Sequence, residues 1–246
     1  TEDFLQYIGD VTLLTVRTVF LSVVPPYKIK PILVQMKKTG VDSLPIVFLT
    51  SLFTGIVLAL QRADQMQRIS AEMYIPSLVA LSIVRELGPV LTGLVVAGRV
   101  GAAITAELGT MRVTEQIDAL EVMGINPTCY LILPKIIALM IFNPLLILIS
   151  MFLGLLGGFY SAILVSDMAP SDFLSGLRLG FTPYYVFIAL LKTVIFSFII
   201  TSISAFDGYY VKGGSMEVGV NATKAVVSSS VAIIIANYIL TQILLV

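Results

Sequence analysis

The chain has 246 residues, 57% hydrophobic and only 12% charged, where soluble domains carry about 25% charged residues, so an ordinary soluble globule is excluded and a polytopic membrane protein is indicated. Fifteen basic and fifteen acidic residues cancel, which argues against a nucleic-acid partner. There is no histidine and one cysteine, Cys129, so an internal disulfide is impossible and no metal or other cofactor is expected.

Residues 4–24 set Phe4, Ile8, Val11, Leu14 and Leu21 near helical spacing, with Asp10, Arg17 and Thr18 between them. They read as an amphipathic helix lying in the membrane interface, or as a short span. Pro25-Pro26 ends it, and Lys28, Lys30, Lys37 and Lys38 form a basic linker. The first clear span covers 44–60, and 61–74 are polar. The second covers 75–97 and carries Arg85, Glu86 and Pro89 inside it. Residues 98–128 read as an amphipathic connection in water. Residues 129–165 are nearly all apolar, with Pro134 and Lys135 at the interfacial start and Pro144 within. One long helix bent at Pro144 is expected, with a helical hairpin as the alternative. A polar stretch, 166–183, leads to a fourth span, 184–206; a glycine-rich loop, 207–224, leads to a fifth, 225–246. The sum is an all-α membrane protein with one polytopic domain over 1–246. An interfacial N-terminal helix and basic linker (1–43) precede a core of five transmembrane helices (44–246) that includes the amphipathic connection 98–128.

Five spans separate the two ends across the membrane. With the N-terminus inside, Arg17, Lys28, Lys30, Lys37, Lys38, Arg99, Arg112, Lys135, Lys212 and Lys224 fall on the inner side, against Arg62, Arg68 and Arg178 outside. That asymmetry obeys the positive-inside rule and puts 98–128 and 207–224 in the cytosol.

Arg85 and Glu86 are the sharpest feature. An intramembrane charge costs about 3 kcal/mol on insertion scales, so such residues face the protein interior or a wet cavity. Helical neighbours point about 100° apart, so these two should not pair with each other. Lys192, in the fourth span, is a cross-helix partner for Glu86. Gly88-Pro89 frees backbone carbonyls beside the charges, as happens where backbone lines a cavity. Both Arg85→Ala and Glu86→Ala are therefore expected to impair transport rather than assembly. The segment 109–123 is the second feature: Met111, Ile117, Leu120 and Met123 fall near one face, and Arg112, Glu115, Asp118 and Glu121 mostly on the other. It reads as a surface helix or as a docking helix for a soluble partner. Gly98 with Ala102, and Gly154 with Gly158, offer close helix contact. Asn237 reads as interhelical glue. No G-x-x-x-x-G-K-[ST] loop, H-E-x-x-H or G-x-S-x-G is present, so neither ATP hydrolysis nor other enzymatic chemistry is expected of this chain.

The block RELGPVLTGLVVAGRVGAAITAELGTMRVTEQIDALEVMGINP, residues 85–127, resembles the MlaE (YrbE-like) permeases, membrane subunits of bacterial ABC systems that move phospholipids between inner and outer membranes. The order of features extends the likeness to nearly the whole chain. The resemblance implies a multi-pass protein of the bacterial inner (plasma) membrane. It further implies a homodimer carrying two cytosolic ABC ATPase subunits, a periplasmic MCE-domain ring, and a phospholipid pocket at the dimer centre. Arg85, Glu86, Lys192, Leu58 and Gln61 match positions at that pocket. Met111, Arg112, Thr114, Glu115, Gln116 and Asp118 match the coupling helix that meets the ATPase. Asn237 is neutral where some relatives carry an acid. Two other readings compete: an ion- or proton-coupled secondary transporter using Arg85, Glu86 and Lys192, and a membrane-bound lipid enzyme.

Overall fold

The computed structural model describes residues 2–21, 29–67, 72–166 and 168–245. The Pro25-Pro26 stop and Lys28 lie outside them. Among the described residues the chain is all helical. Two helices come first, α1 (Glu2–Leu21) and the shorter α2 (Ile29–Thr39). The basic linker is thus largely a helix, with Lys37 and Lys38 in its last turn, where the helix dipole favours cations.

The first span, α3 (Leu44–Gln67), runs a full seven residues past its apolar stretch. The second is a continuous helical rod. It comprises α4 (Ile75–Ser82), a π-helical turn (Ile83–Leu87), α5 (Gly88–Val96), a second π turn (Ala97–Gly101) and α6 (Ala102–Val113). The helix expected to end near Gly98 therefore continues to Val113. The small residues Gly101, against Ser204 and Ile200 of α10, and Gly109, against Val218 of α11, let the helix continue packed on those two spans. A turn at Thr114-Glu115 leads to a short helix, α7 (Gln116–Val122). A third π turn (Thr128–Ile132) opens α8 (Leu133–Ser166), one helix with Pro144 inside it and no hairpin. Residues 170–180, read as polar connection, form α9 (Pro170–Gly180). The last spans are α10 (Pro183–Tyr209) and α11 (Ser215–Leu245), so the glycine-rich loop shrinks to a few residues and its second half belongs to α11. Among the described residues, five helical stretches are long and apolar enough to cross a membrane: Lys30–Met66, Ile75–Val113, Thr128–Val165, Pro183–Tyr209 and Ser215–Leu244.

Two apolar clusters hold the spans together. One gathers Val96, Ile104, Leu108, Ile136, Leu146, Phe196, Ile200 and Ile233. The other gathers Leu58, Val79, Ile83, Val84, Ile147, Met151 and Ala189. Glycine controls the tightest seam, between α3 and α8. A Cβ on Gly157 would run into the Leu52 carbonyl oxygen, and one on Gly55 into the Gly154 carbonyl. Gly98, by contrast, has nothing within 4 Å of its would-be Cβ and makes no close contact within the chain. Gly157→Ala should therefore push α3 off α8 and lower the melting temperature of the purified protein, by about 1–3 kcal/mol of stability. Gly98→Ala should leave the melt of the same preparation unchanged.

Candidate functional site

The site grows from a backbone fault. Pro89 has no N–H to offer the Arg85 carbonyl four residues back, and Gly88 bonds instead to the Ile83 carbonyl five residues back. The resulting π turn, Ile83–Leu87, holds both Arg85 and Glu86. Such turns are rare and gather at functional positions. The carbonyl that Pro89 releases does not stay empty: Lys192 Nζ of α10 lies 3.4 Å from the Arg85 oxygen.

Lys192 is fully buried, and each of its three donors has an acceptor. Besides that carbonyl it donates to Glu86 Oε1 (3.1 Å) and to Thr241 Oγ1 (2.7 Å). The Thr241 hydroxyl in turn donates a hydrogen bond to Glu86 Oε1 (3.1 Å), and Asn237 Nδ2 donates to Glu86 Oε2 (2.9 Å). Three spans thus meet at one carboxylate, with α11 supplying two residues a helical turn apart. Asn237 acts as the interhelical glue its position suggests. Its Oδ1, however, is buried without a partner. Glu86 itself keeps 37% of its side chain exposed, so the node opens outward.

Arg85 points elsewhere. Its guanidinium lies 5.0 Å from the centre of the Tyr185 ring, a cation–π contact, and it has no carboxylate partner among the described residues. Tyr185 packs onto the cluster that contains Leu58. Leu58 is buried there, and Gln61, three residues on, is exposed. The structure therefore brings Arg85, Glu86, Lys192 and Leu58 to neighbouring positions but divides their work. Lys192 is consumed by the node, while the Arg85 guanidinium makes no side-chain hydrogen bond or ion pair among the described residues.

At the other end, Glu115 adopts φ 58°, the one positive-φ residue other than glycine among those described. That left-handed turn breaks the helix expected over 109–123 in two and swings α7 under α10. Ile117 is fully buried, and Tyr209 of α10 donates to Glu121 Oε1 (3.1 Å). Arg112 pairs with Asp118 (2.6 Å) and faces the Tyr209 ring at 6.0 Å, so it is engaged within the chain. Thr114, Glu115 and Gln116 are exposed, and Met111 is half-buried. Met123, assigned by periodicity to the apolar face, is instead 64% exposed beside Val122 at 89%.

Sequence reasoning missed a second charged layer. Glu107 of α6 binds Lys135 Nζ (2.7 Å) and Lys38 Nζ (2.5 Å). Lys135, expected at the interface, is 1% exposed. It also missed a cluster at the end of α10. Tyr7 of α1 donates to Asp207 Oδ2 (2.8 Å), and Lys224 of α11 pairs with Asp207 Oδ1 (3.2 Å). Burial, reinforced by the Asp207 carboxylate, pushes the Tyr7 phenol far above its ordinary range, so it stays protonated as the donor. The signal that was available for Glu107 is the apolar pair Ile104 and Leu108 around it.

Among the described residues, five candidate spans with a charged node between them define a polytopic all-helical membrane protein. The comparisons give the family. The Permease MlaE family model matches residues 32–243. A "Probable ABC transporter permease protein" of Rickettsia prowazekii is 43% identical over 242 residues, covering 98% of this chain and 93% of the relative. A similarly named Synechocystis protein is 40% identical over 208 residues, covering 84% of this chain and 79% of the relative. The "Intermembrane phospholipid transport system permease protein MlaE" of Haemophilus influenzae is 37% identical over 216 residues, covering 87% and 83%. The chain belongs to the MlaE permease family.

The geometry changes one expectation. Glu86→Ala would strand the fully buried Lys192 ammonium, and breaking a buried pair costs about 3–5 kcal/mol. The variant should therefore melt far lower than the parent, while Glu86→Gln, which keeps an acceptor for Lys192, loses less. Thermal denaturation of both purified proteins checks this ordering.

Proposed function

We propose that this chain is the permease subunit of an ABC transporter that moves phospholipids between the inner membrane and the periplasm or outer membrane of a bacterium. The observation that carries this reading is the Arg85 guanidinium: a permanent cation within a span, without a carboxylate partner among the described residues and set against an aromatic and apolar wall. A phospholipid offers one anionic phosphate and two acyl tails. Arginine grips a phosphate through paired N–H donors, and Tyr185, Leu87 and the wall around Leu58 suit the tails. Glu86 and Lys192 then act as the frame that fixes the π turn and aims Arg85, rather than as direct lipid contacts. Gln61, exposed past Leu58, lies on the route out.

The phospholipid-transport name of the Haemophilus relative and the ABC transporter names of the others support the substrate class and the drive. Energy comes from a separate cytosolic ATPase, since this sequence has no nucleotide-binding loop. The basic asymmetry puts α1, α2 and α7 on the cytosolic side. There Thr114, Glu115, Gln116 and the exposed pair Val122 and Met123 form the docking face, with Arg112 and Asp118 bracing the turn beneath it. The largely exposed apolar α11, next to the node, suits pairing with a second copy, and a periplasmic MCE-domain protein receives the lipid. An ion-coupled secondary transporter fits less well, because Lys192 has all three donors engaged and would have to break the node to relay a proton.

Two measurements test this. Reconstituted in vesicles with its ATPase, the chain should transfer labelled phospholipid when ATP is added. Transfer that needs only a pH gradient would favour the secondary transporter instead. Val122→Asp with Met123→Asp should weaken co-purification of the ATPase at least tenfold without changing the yield of the permease in the membrane; undiminished co-purification would remove α7 as the docking face.

A further inference from the structure

Near the second charged layer the molecule has two adjoining cavities that the transport reading does not use. The larger, about 540 Å³, is lined by Lys30, Val34, Gln35, Tyr130, Leu131 and Lys135, among others, and lies between α2, α6 and the start of α8. The smaller, about 180 Å³, shares Gln35 and Glu107 with it and adds Lys38, Asp42 and Arg99. Together they fall in the size range of built ligand sites. Four cationic side chains against two carboxylates leave this wall with a net charge of +2. The charges are not all spent. Lys38 and Lys135 share the single Glu107 carboxylate, and Arg99 gives its hydrogen bond to the neutral Ser43 hydroxyl (2.5 Å). Lys30 is exposed and makes no ion pair among the described residues. A second observation points to a ligand independently of charge: Gln35 Oε1, on the wall common to both cavities, is buried without a hydrogen-bond partner. The remaining lining, Val34, Leu131 and Pro134, is apolar.

A polar, cationic end with a hungry acceptor and an apolar side is complementary to one kind of molecule at a membrane surface. We infer that this groove binds an anionic phospholipid. The phosphate sits among Lys30, Lys38 and Arg99, a headgroup hydroxyl or amine donates to Gln35 Oε1, and an acyl chain lies along Val34 and Leu131. Basic pockets between helices on the cytoplasmic side of membrane proteins recognise lipid headgroups in this way. The level also fits. Glu107 lies 21 residues beyond Glu86 on one helical rod, about 30 Å along its axis at ~1.5 Å per residue. That is one hydrocarbon thickness, about 30 Å, from the Arg85 level, so the groove and the proposed transport site open at opposite leaflets. Assigning the groove to the inner leaflet rests on the orientation proposed above; the binding itself does not.

The chain contains no tryptophan, which permits a local readout. Val34 is exposed, so Val34→Trp places a single reporter on the groove wall without disturbing the core. The full-length variant is reconstituted in vesicles in which brominated phosphatidylglycerol or brominated phosphatidylcholine quenches the tryptophan. The expected result is quenching by phosphatidylglycerol roughly fivefold more effective than by phosphatidylcholine, the contribution of about one basic residue at a lipid surface. Adding Lys30→Gln should bring the ratio close to one, excess inorganic phosphate should leave it intact, and adding Arg85→Ala should leave it intact as well. Equal quenching by the two lipids would mean annular lipid only. Relief of quenching by phosphate would mean a free-anion site. Either result overturns the inference, and so does a ratio that survives Lys30→Gln. Loss of selectivity with Arg85→Ala would show that the signal belongs to the transport site, and would overturn it too.

Discussion

A carboxylate placed inside a membrane span must be hydrogen-bonded from every side or it will not stay there, and the Glu86 carboxylate sets the arrangement of three helices on that account. Its partners come from α10 and α11, far away in sequence, so satisfying it fixes where those spans lie against the α4–α6 rod. The π turn is part of the same solution. Pro89 removes one backbone donor, the Arg85 carbonyl is released, and the Lys192 ammonium fills the vacancy while neutralising Glu86. One lysine thus repairs both a backbone fault and a buried charge. The consequence is that Arg85, rotated onto the other side of the turn, is left with its charge unspent.

The same logic recurs further along the rod and at the end of α10. Glu107 ties α2 and α8 to the α6 end of the rod through Lys38 and Lys135, and Asp207 ties α1 and α11 to the end of α10 through Tyr7 and Lys224. Between these charged layers the polar side chains are mostly hydroxyls that look after themselves. Thr193, Ser197 and Thr201 each donate to the carbonyl four residues back, and Ser51 of α3 and Thr92 of α5 both donate to the Ser150 hydroxyl of α8. Hydroxyls can be buried at low cost in this way, whereas carboxylates need a cation from another helix. The rod therefore links the node, the second layer and, through the left-handed turn at Glu115, the helix α7. A push on α7 would act on α10 directly, since Tyr209 holds Glu121.

Much of this was legible in the amino-acid sequence, for reasons that differ by residue. Arg85 and Glu86 stood out because charge is scarce in an apolar run, and Lys192 was legible as the partner of Glu86 because the fourth span has no other ion at that depth. The single long α8 followed from an apolar run too short for two spans. Helix ends were not legible. Gln61 to Gln67 and Ser215 to Lys224 are polar, yet they continue α3 and α11, since a helix leaving the hydrocarbon keeps its backbone bonds in water as well as in lipid. Lys135 looked interfacial because its neighbour Pro134 starts the apolar run; its partner Glu107 is 28 residues away, on a stretch whose small residues hid its continuity with the span. Met123 obeyed the periodicity of a helix that the Glu115 turn interrupts. The helix α9 could not be foreseen from its composition, because it is held by tertiary contact: Phe173 is buried, and Ser77 of α4 donates to the Gly176 carbonyl.

If Glu86 holds the helices while Arg85 serves the lipid, the two neighbours must differ in what their loss destroys. The most direct measurement pairs the thermal stability of the purified Arg85→Ala protein with the amount of phospholipid that co-purifies with it. Arg85 gives up only a cation–π contact of about 0.5–2 kcal/mol, so a melting temperature within a few degrees of the parent is predicted, together with a loss of most of the bound lipid. A protein that melts far lower yet keeps its lipid would contradict this, and would make Arg85 a structural charge like its neighbour.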